Sequence, residues 1–370
     1  MTARRPEKGL VVNVQRAAGL VGHTGPPPEP FEGKRTRLRR GLRPPGAPVP
    51  LDVGGQAART KDGRGSMLRK TTPLMQRRRA LAAAVSAVTA ATLGLAGTAP
   101  ATAGQAAWVD CWKNPAALRL AIDSATAGET LKVSGTCTGP FVITRNLNLI
   151  GADKAVLDGN FAGSTVSVGG AGVRVRLHDL TIINGTGNVV NNQNLGGGIL
   201  NNAGSTVEVT GTELRNNAAQ FGGGIANLSV AGGAVTLDHS VLRDNTASVS
   251  GGAVFVGQQG TFSAIHSLLR DNTAQHGGGI LADLGGRVTL SDSAVRDNSV
   301  SMNGGGLNML GGSTLVLIRS EVEGNRASDG PGSGGGILNV GATVTLNDSH
   351  VRENHPDNCA PPGSVLGCLG

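Results

Sequence analysis

A phrase recurs through the second half of this chain at a nearly fixed interval. GGGI stands at 196–199, GGGI at 222–225, GGAV at 251–254, GGGI at 277–280, GGGL at 304–307 and GGGI at 334–337. A second phrase runs in step with it and ends at Asn217, Asn245, Asn272, Asn298, Asn325 and Asn354, in the form SVLRDN or a close variant. Strand-like triplets such as VTL at 235–237, 288–290 and 344–346 precede each copy. A unit of 26–30 residues with this punctuation cannot bury its own apolar side chains, so copies must stack.

The unit reads as a short strand, a turn, a short strand ending in Asn, a Gly-rich turn and a third short strand. Stacked copies would pair each strand in parallel with its equivalent at about 4.8 Å and bury the Val, Leu and Ile positions in one continuous core. Helices do not fit, because the apolar residues alternate over short runs broken by Gly or Asn. The expected fold is therefore all-β, a right-handed parallel β-helix of about eight turns over residues 131–355. The Asn column is expected at one corner, in left-handed backbone conformation, with amides bonded from turn to turn. The glycine runs would permit positive φ and close approach at another corner. A phosphate cradle is the alternative, but no Lys-Ser/Thr follows the runs and no helix N-terminus is on offer, which argues against it.

Upstream, residues 107–130 are expected to form an N-terminal cap. Its helix spans 114–128, with Asn114 as cap, Pro115 first inside and Gly128 as stop, its apolar face closing the first turn. Cysteines fall at 111, 137, 359 and 368. An even number in an exported chain points to disulfides, and proximity favours Cys111–Cys137 and Cys359–Cys368 among three connectivities. No CxxC pair or His cluster accompanies them, which argues against zinc at the cysteines. Residues 356–370 then read as a disulfide-closed tail.

Charge divides the chain. Residues 1–106 carry 18 Lys and Arg against 5 Asp and Glu, whereas residues 107–370 carry 15 against 20. The basic character thus belongs to the leader, and nucleic-acid binding by the folded part loses its support. Residues 1–66 read as a disordered, Pro-rich basic extension. Residues 67–106 have the three regions of a secretory signal: Arg77-Arg78-Arg79, an Ala-rich apolar run over 80–97, and cleavage after Ala103 or Ala106. The mature chain holds no apolar run long enough to span a membrane. A secreted or cell-surface bacterial protein is expected.

From AIDSATAGETLKVSGTCTGPFVITRNLNLIGA into the GGGI and RDN phrases, the chain resembles secreted right-handed parallel β-helix proteins of the pectate-lyase-like superfamily. The paired phrases resemble, more narrowly, the repeats of bacterial polymorphic outer-membrane proteins. The resemblance covers about residues 115–355 and implies a fold. It does not imply one activity, since the superfamily contains lyases, hydrolases, esterases and adhesins.

Two columns carry the candidate chemistry. Six residues before the ladder Asn stand His239, His266, Asp292, Arg319 and Asp348, with Asp238 beside the first. Asp238, His239, His266 and Asp292 are candidates for an acid–base or metal-binding group; the alternative is a set of solvated turn residues. Two before the Asn stand Arg215, Arg243, Arg270, Arg296 and Arg352, interrupted by Glu323. Stacked arginines could grip a polyanionic glycan, or each could pair with an acidic neighbour on an adjacent turn. Neither the Ca²⁺-holding carboxylates of a lyase nor the close carboxylates of a hydrolase stand out. The function expected is a non-catalytic scaffold that binds a polysaccharide or a cell-surface partner without a cofactor. The alternative is a lyase or hydrolase acting on an acidic polysaccharide, the lyase with Ca²⁺.

Overall fold

A computed structural model describes residues 106–228, 232–257 and 259–369. The basic extension expected over 1–66 and nearly all of the export signal expected over 67–106 lie outside them. Residues 106–369 form an all-β parallel solenoid. Its third face is a single sheet of nine strands, from Phe141–Ile143 through Ile199–Asn202 and Ile225–Leu228 to Cys359–Ala360, so the coil makes about nine turns rather than eight. The repeated phrases undercount, because the opening turns of residues 129–169 and the closing strand Cys359–Ala360 lack them.

Each repeat contributes four strands, not three. In one turn these are Thr206–Thr210, Glu213–Arg215, Ala218–Phe221 and Ile225–Leu228; in the next, Ala234–Asp238, Val241–Arg243, Thr246–Ser250 and Val254–Gly257. The unforeseen strand lies between the Asn and the glycines and belongs to a seven-stranded sheet of its own. Its sequences, such as AAQF and TAQH, lack the alternation that marks a strand, since their side chains are exposed or half-buried. Along the first strand of each repeat register is residue-for-residue, Val207 with Val235, Phe262 with Val288 and Leu290 with Leu317, whereas the seven-stranded sheet carries register shifts. Pairing is parallel throughout, apart from the hairpin of Asn188–Val190 with Gln193–Leu195.

The first strand of each turn alternates inward and outward. Val207, Val209, Val235, Leu237, Phe262, Val288, Leu290, Leu315 and Leu317 are buried in one core. Each contributes about 1.5–3 kcal/mol by leaving water. A smaller apolar cluster on the outer side of the third face joins Leu200, Phe255 and Leu281 to Phe221, whose ring lies 5.3 Å from that of Phe255.

The helix spans Ala117–Ser124, shorter than expected at both ends. Asn114 acts one turn earlier, its side-chain oxygen accepting the Ala116 amide at 3.0 Å in a turn that precedes the helix. At the other end Ala125 is already extended (φ −62°, ψ 143°), and the Arg145 guanidinium donates to its carbonyl at 2.6 Å. Leu118 and Ile122 enter the main core beside the first strands. Cys111–Cys137 and Cys359–Cys368 are both disulfide-bonded. Among the described residues no helix is long and apolar enough to cross a membrane.

Candidate functional site

Four bends separate the four strands of each turn, and two of them carry long polar ladders. Asn217, Asn245, Asn272, Asn298 and Asn325 are buried. Each side-chain amide donates to the side-chain oxygen of the next Asn at 2.9–3.0 Å, and Asn354 continues the ladder to Asn358 at 3.2 Å. The same oxygen accepts the backbone N–H of the Asn one turn earlier, as Asn272 does from Asn245 at 3.0 Å. The ladder Asn residues are not themselves left-handed, contrary to expectation. The left-handed residue is the one before each ladder Asn: Asn216, Asp244, Asp271, Asp297, Gly324 and Glu353, with φ of 53–66°. Placing the twist there turns the following Asn side chain inward.

A second polar ladder, absent from the sequence expectations, runs along the neighbouring bend. Thr212, Ser240, Ser267, Ser293, Ser320 and Ser349 occupy the corner between the first two strands, and each hydroxyl accepts the backbone N–H of its counterpart one turn earlier at 3.0–3.2 Å. The signal was the Ser or Thr five residues before every ladder Asn.

The residue ahead of each Ser is left-handed as well, and this is the column of His239, His266, Asp292, Arg319 and Asp348, with φ of 45–49°. Successive turns do bring these residues together, but in two groups. The His239 and His266 rings stack with centroids 4.6 Å apart and planes 29° from parallel. Asp238 joins them: its Oδ1 lies 2.7 Å from His239 Nδ1 and 3.8 Å from His266 Nδ1. Asp292 is drawn the other way, since Arg319 donates to both of its oxygens at 2.8 and 2.6 Å. That guanidinium holds the Asp292 carboxyl below the usual carboxylate range. Asp292 is thereby committed as a carboxylate, unsuited to giving up a proton as a general acid near neutrality. Between this corner and the second strand lies an open depression of about 410 Å³, lined among others by His266, Asp292, Arg319 and Glu321.

The arginine column stands in register, Arg215 beside Arg243, Arg270 and Arg296 on successive turns. Carboxylates thread through it. Glu213 bridges Arg243 at 2.5 Å and Arg215 at 3.4 Å; Arg296 pairs with Glu321 and with Glu323, the latter at 3.4 Å; Glu323 reaches Arg352 at 3.5 Å. Arg270 pairs with Asp271 of its own turn, and Arg243 also meets Asp244. Pairing is thus partly between turns and partly within one. The stripe presents alternating donors and acceptors rather than a run of positive charge.

Fold and corners together define a parallel β-solenoid with internal Asn and Ser ladders and an ion-paired outer face. No protein-family model matches the chain, no curated protein matches it, and neither does any solved structure.

Proposed function

We propose that this chain is an exported, non-catalytic scaffold that binds a hydroxyl-rich glycan at the cell surface or outside the cell. The observation that carries the reading is the in-register column of arginines and carboxylates on an outward face. An array of paired charges repeated at about 4.8 Å offers sugar hydroxyls both donors and acceptors, and it lacks the unbalanced charge that a polyanion would need. Two disulfides suit an oxidising compartment.

A lyase or hydrolase acting on an acidic polysaccharide is the second reading, favoured by Asp238 and Asp292 lying on one corner. Against it, Asp292 is engaged by Arg319, and the histidines stand on an exposed corner where water is not excluded. Replacing Arg243, Arg270 and Arg296 together by Ala should weaken retention in polysaccharide-loaded native gels at least about tenfold. Unchanged retention by that variant would remove the stripe from the binding account.

A further inference from the structure

We infer that Asp238, His239 and His266 form a site for a divalent transition-metal ion of the Zn²⁺ or Cu²⁺ kind. The inference does not rest on the glycan reading. Each of the three residues offers one ligand atom, and these atoms all lie within 4.8 Å of one another. Tetrahedral bonds of about 2.0–2.1 Å would set such atoms about 3.4 Å apart. The two separations from Asp238 Oδ1, 2.7 and 3.8 Å, bracket that value, so shifts of under about 1 Å in each would match it.

The backbone beneath is already fixed. Asp238 ends the strand Ala234–Asp238, His239 follows it at the left-handed corner, and His266 is the equivalent residue one turn on. The His239 amide is held by the Ile265 carbonyl and the His266 amide by that of Ser291, both at 3.1 Å. Ser240 and Ser267, the next residues in sequence, are locked in the serine ladder. The stacking distance of the rings is close to the rung spacing, so the fold itself delivers two imidazoles side by side.

Chemistry selects the ion. Two imidazole nitrogens and one carboxylate oxygen suit Zn²⁺, Cu²⁺ or Ni²⁺, whereas Ca²⁺ takes six to eight oxygens. Asp292 is not a member, because Arg319 occupies both of its oxygens. His239 and His266 are more than half exposed, which leaves further coordination positions facing water and the neighbouring depression.

The test is a titration of the full chain with Zn²⁺ in competition with a chromogenic chelator. Asn tolerates left-handed backbone, so His239→Asn and His266→Asn remove the imidazoles while keeping the corner, and an unchanged thermal midpoint would verify this. One ion should bind per chain, with each single variant losing at least about tenfold in affinity. Asp292→Asn should bind as the wild type does, and Ca²⁺ should not compete. In Cu²⁺ electron paramagnetic resonance, coupling to two nitrogens should fall to one in either variant. Wild-type Zn²⁺ affinity in the double variant, the absence of stoichiometric binding, or an equal loss on replacing Asp292 would overturn the assignment.

Discussion

At the scale of single residues, the molecule depends on polar side chains that repeat. Asn272 accepts from the backbone and side-chain amides of Asn245 and donates to the Leu242 carbonyl and to Asn298. Replacing it by Ala strands the buried Asn245 amide and the Leu242 carbonyl. Asn272→Ala should therefore cost about 2–4 kcal/mol in urea unfolding, and more than Asn354→Ala at the less buried end. On the surface, the Arg319 guanidinium depresses the Asp292 carboxyl, so this pair contributes stability above the ordinary Asp range that is lost as pH falls through the depressed value. Arg319→Ala should raise the pH at which the Asp292 carboxyl carbon resonance titrates. The ladder Asn was readable from its spacing, since identical residues one turn apart must meet. Which partner each acid turns to was not: the sequence grouped both Asp238 and Asp292 with the histidines, whereas side-chain direction keeps Asp238 there and gives Asp292 to Arg319.

At the scale of elements, the glycine corner divides its labour by position. The first glycine of each run has φ of 61–71°. A Cβ on the second would meet the carbonyl of the next turn, at 2.3 Å for Gly305 against Gly335. The third is looser, and Ala253 already fills it in one turn. Gly305→Ala should lower stability by about 1–3 kcal/mol through forced separation of two rungs, with Gly306→Ala clearly milder. Equal effects in thermal unfolding would contradict the close-approach account. The Gly-Gly pattern thus carried its corner plainly. The extra strand before it was not legible because Ala218–Phe221 and Thr273–His276 bury no side chain fully, and their counterparts bury only isolated ones such as Ala247 and Val300. The helix ends shifted for a similar reason, as Asn114 caps a turn and not the helix itself.

At the scale of the whole solenoid, parallel pairing stacks about nine turns from Ala107 to Ala360 around one apolar core edged by the polar ladders, and the outer columns repeat every turn. Such a shape was legible because its period is written six times over, while its ends, which break the period, were not counted. Repetition also shapes the functional reading: a ligand recognised by rows of equivalent residues is itself expected to be periodic, as a polysaccharide is. The most direct measurement is to incubate the full chain with polyuronates and neutral glycans, with and without Ca²⁺. Retention in the loaded gel is followed together with reducing ends and the absorbance of unsaturated products. Retention by at least one glycan with no product is the result predicted here; release of reducing or unsaturated ends would contradict a scaffold without catalysis.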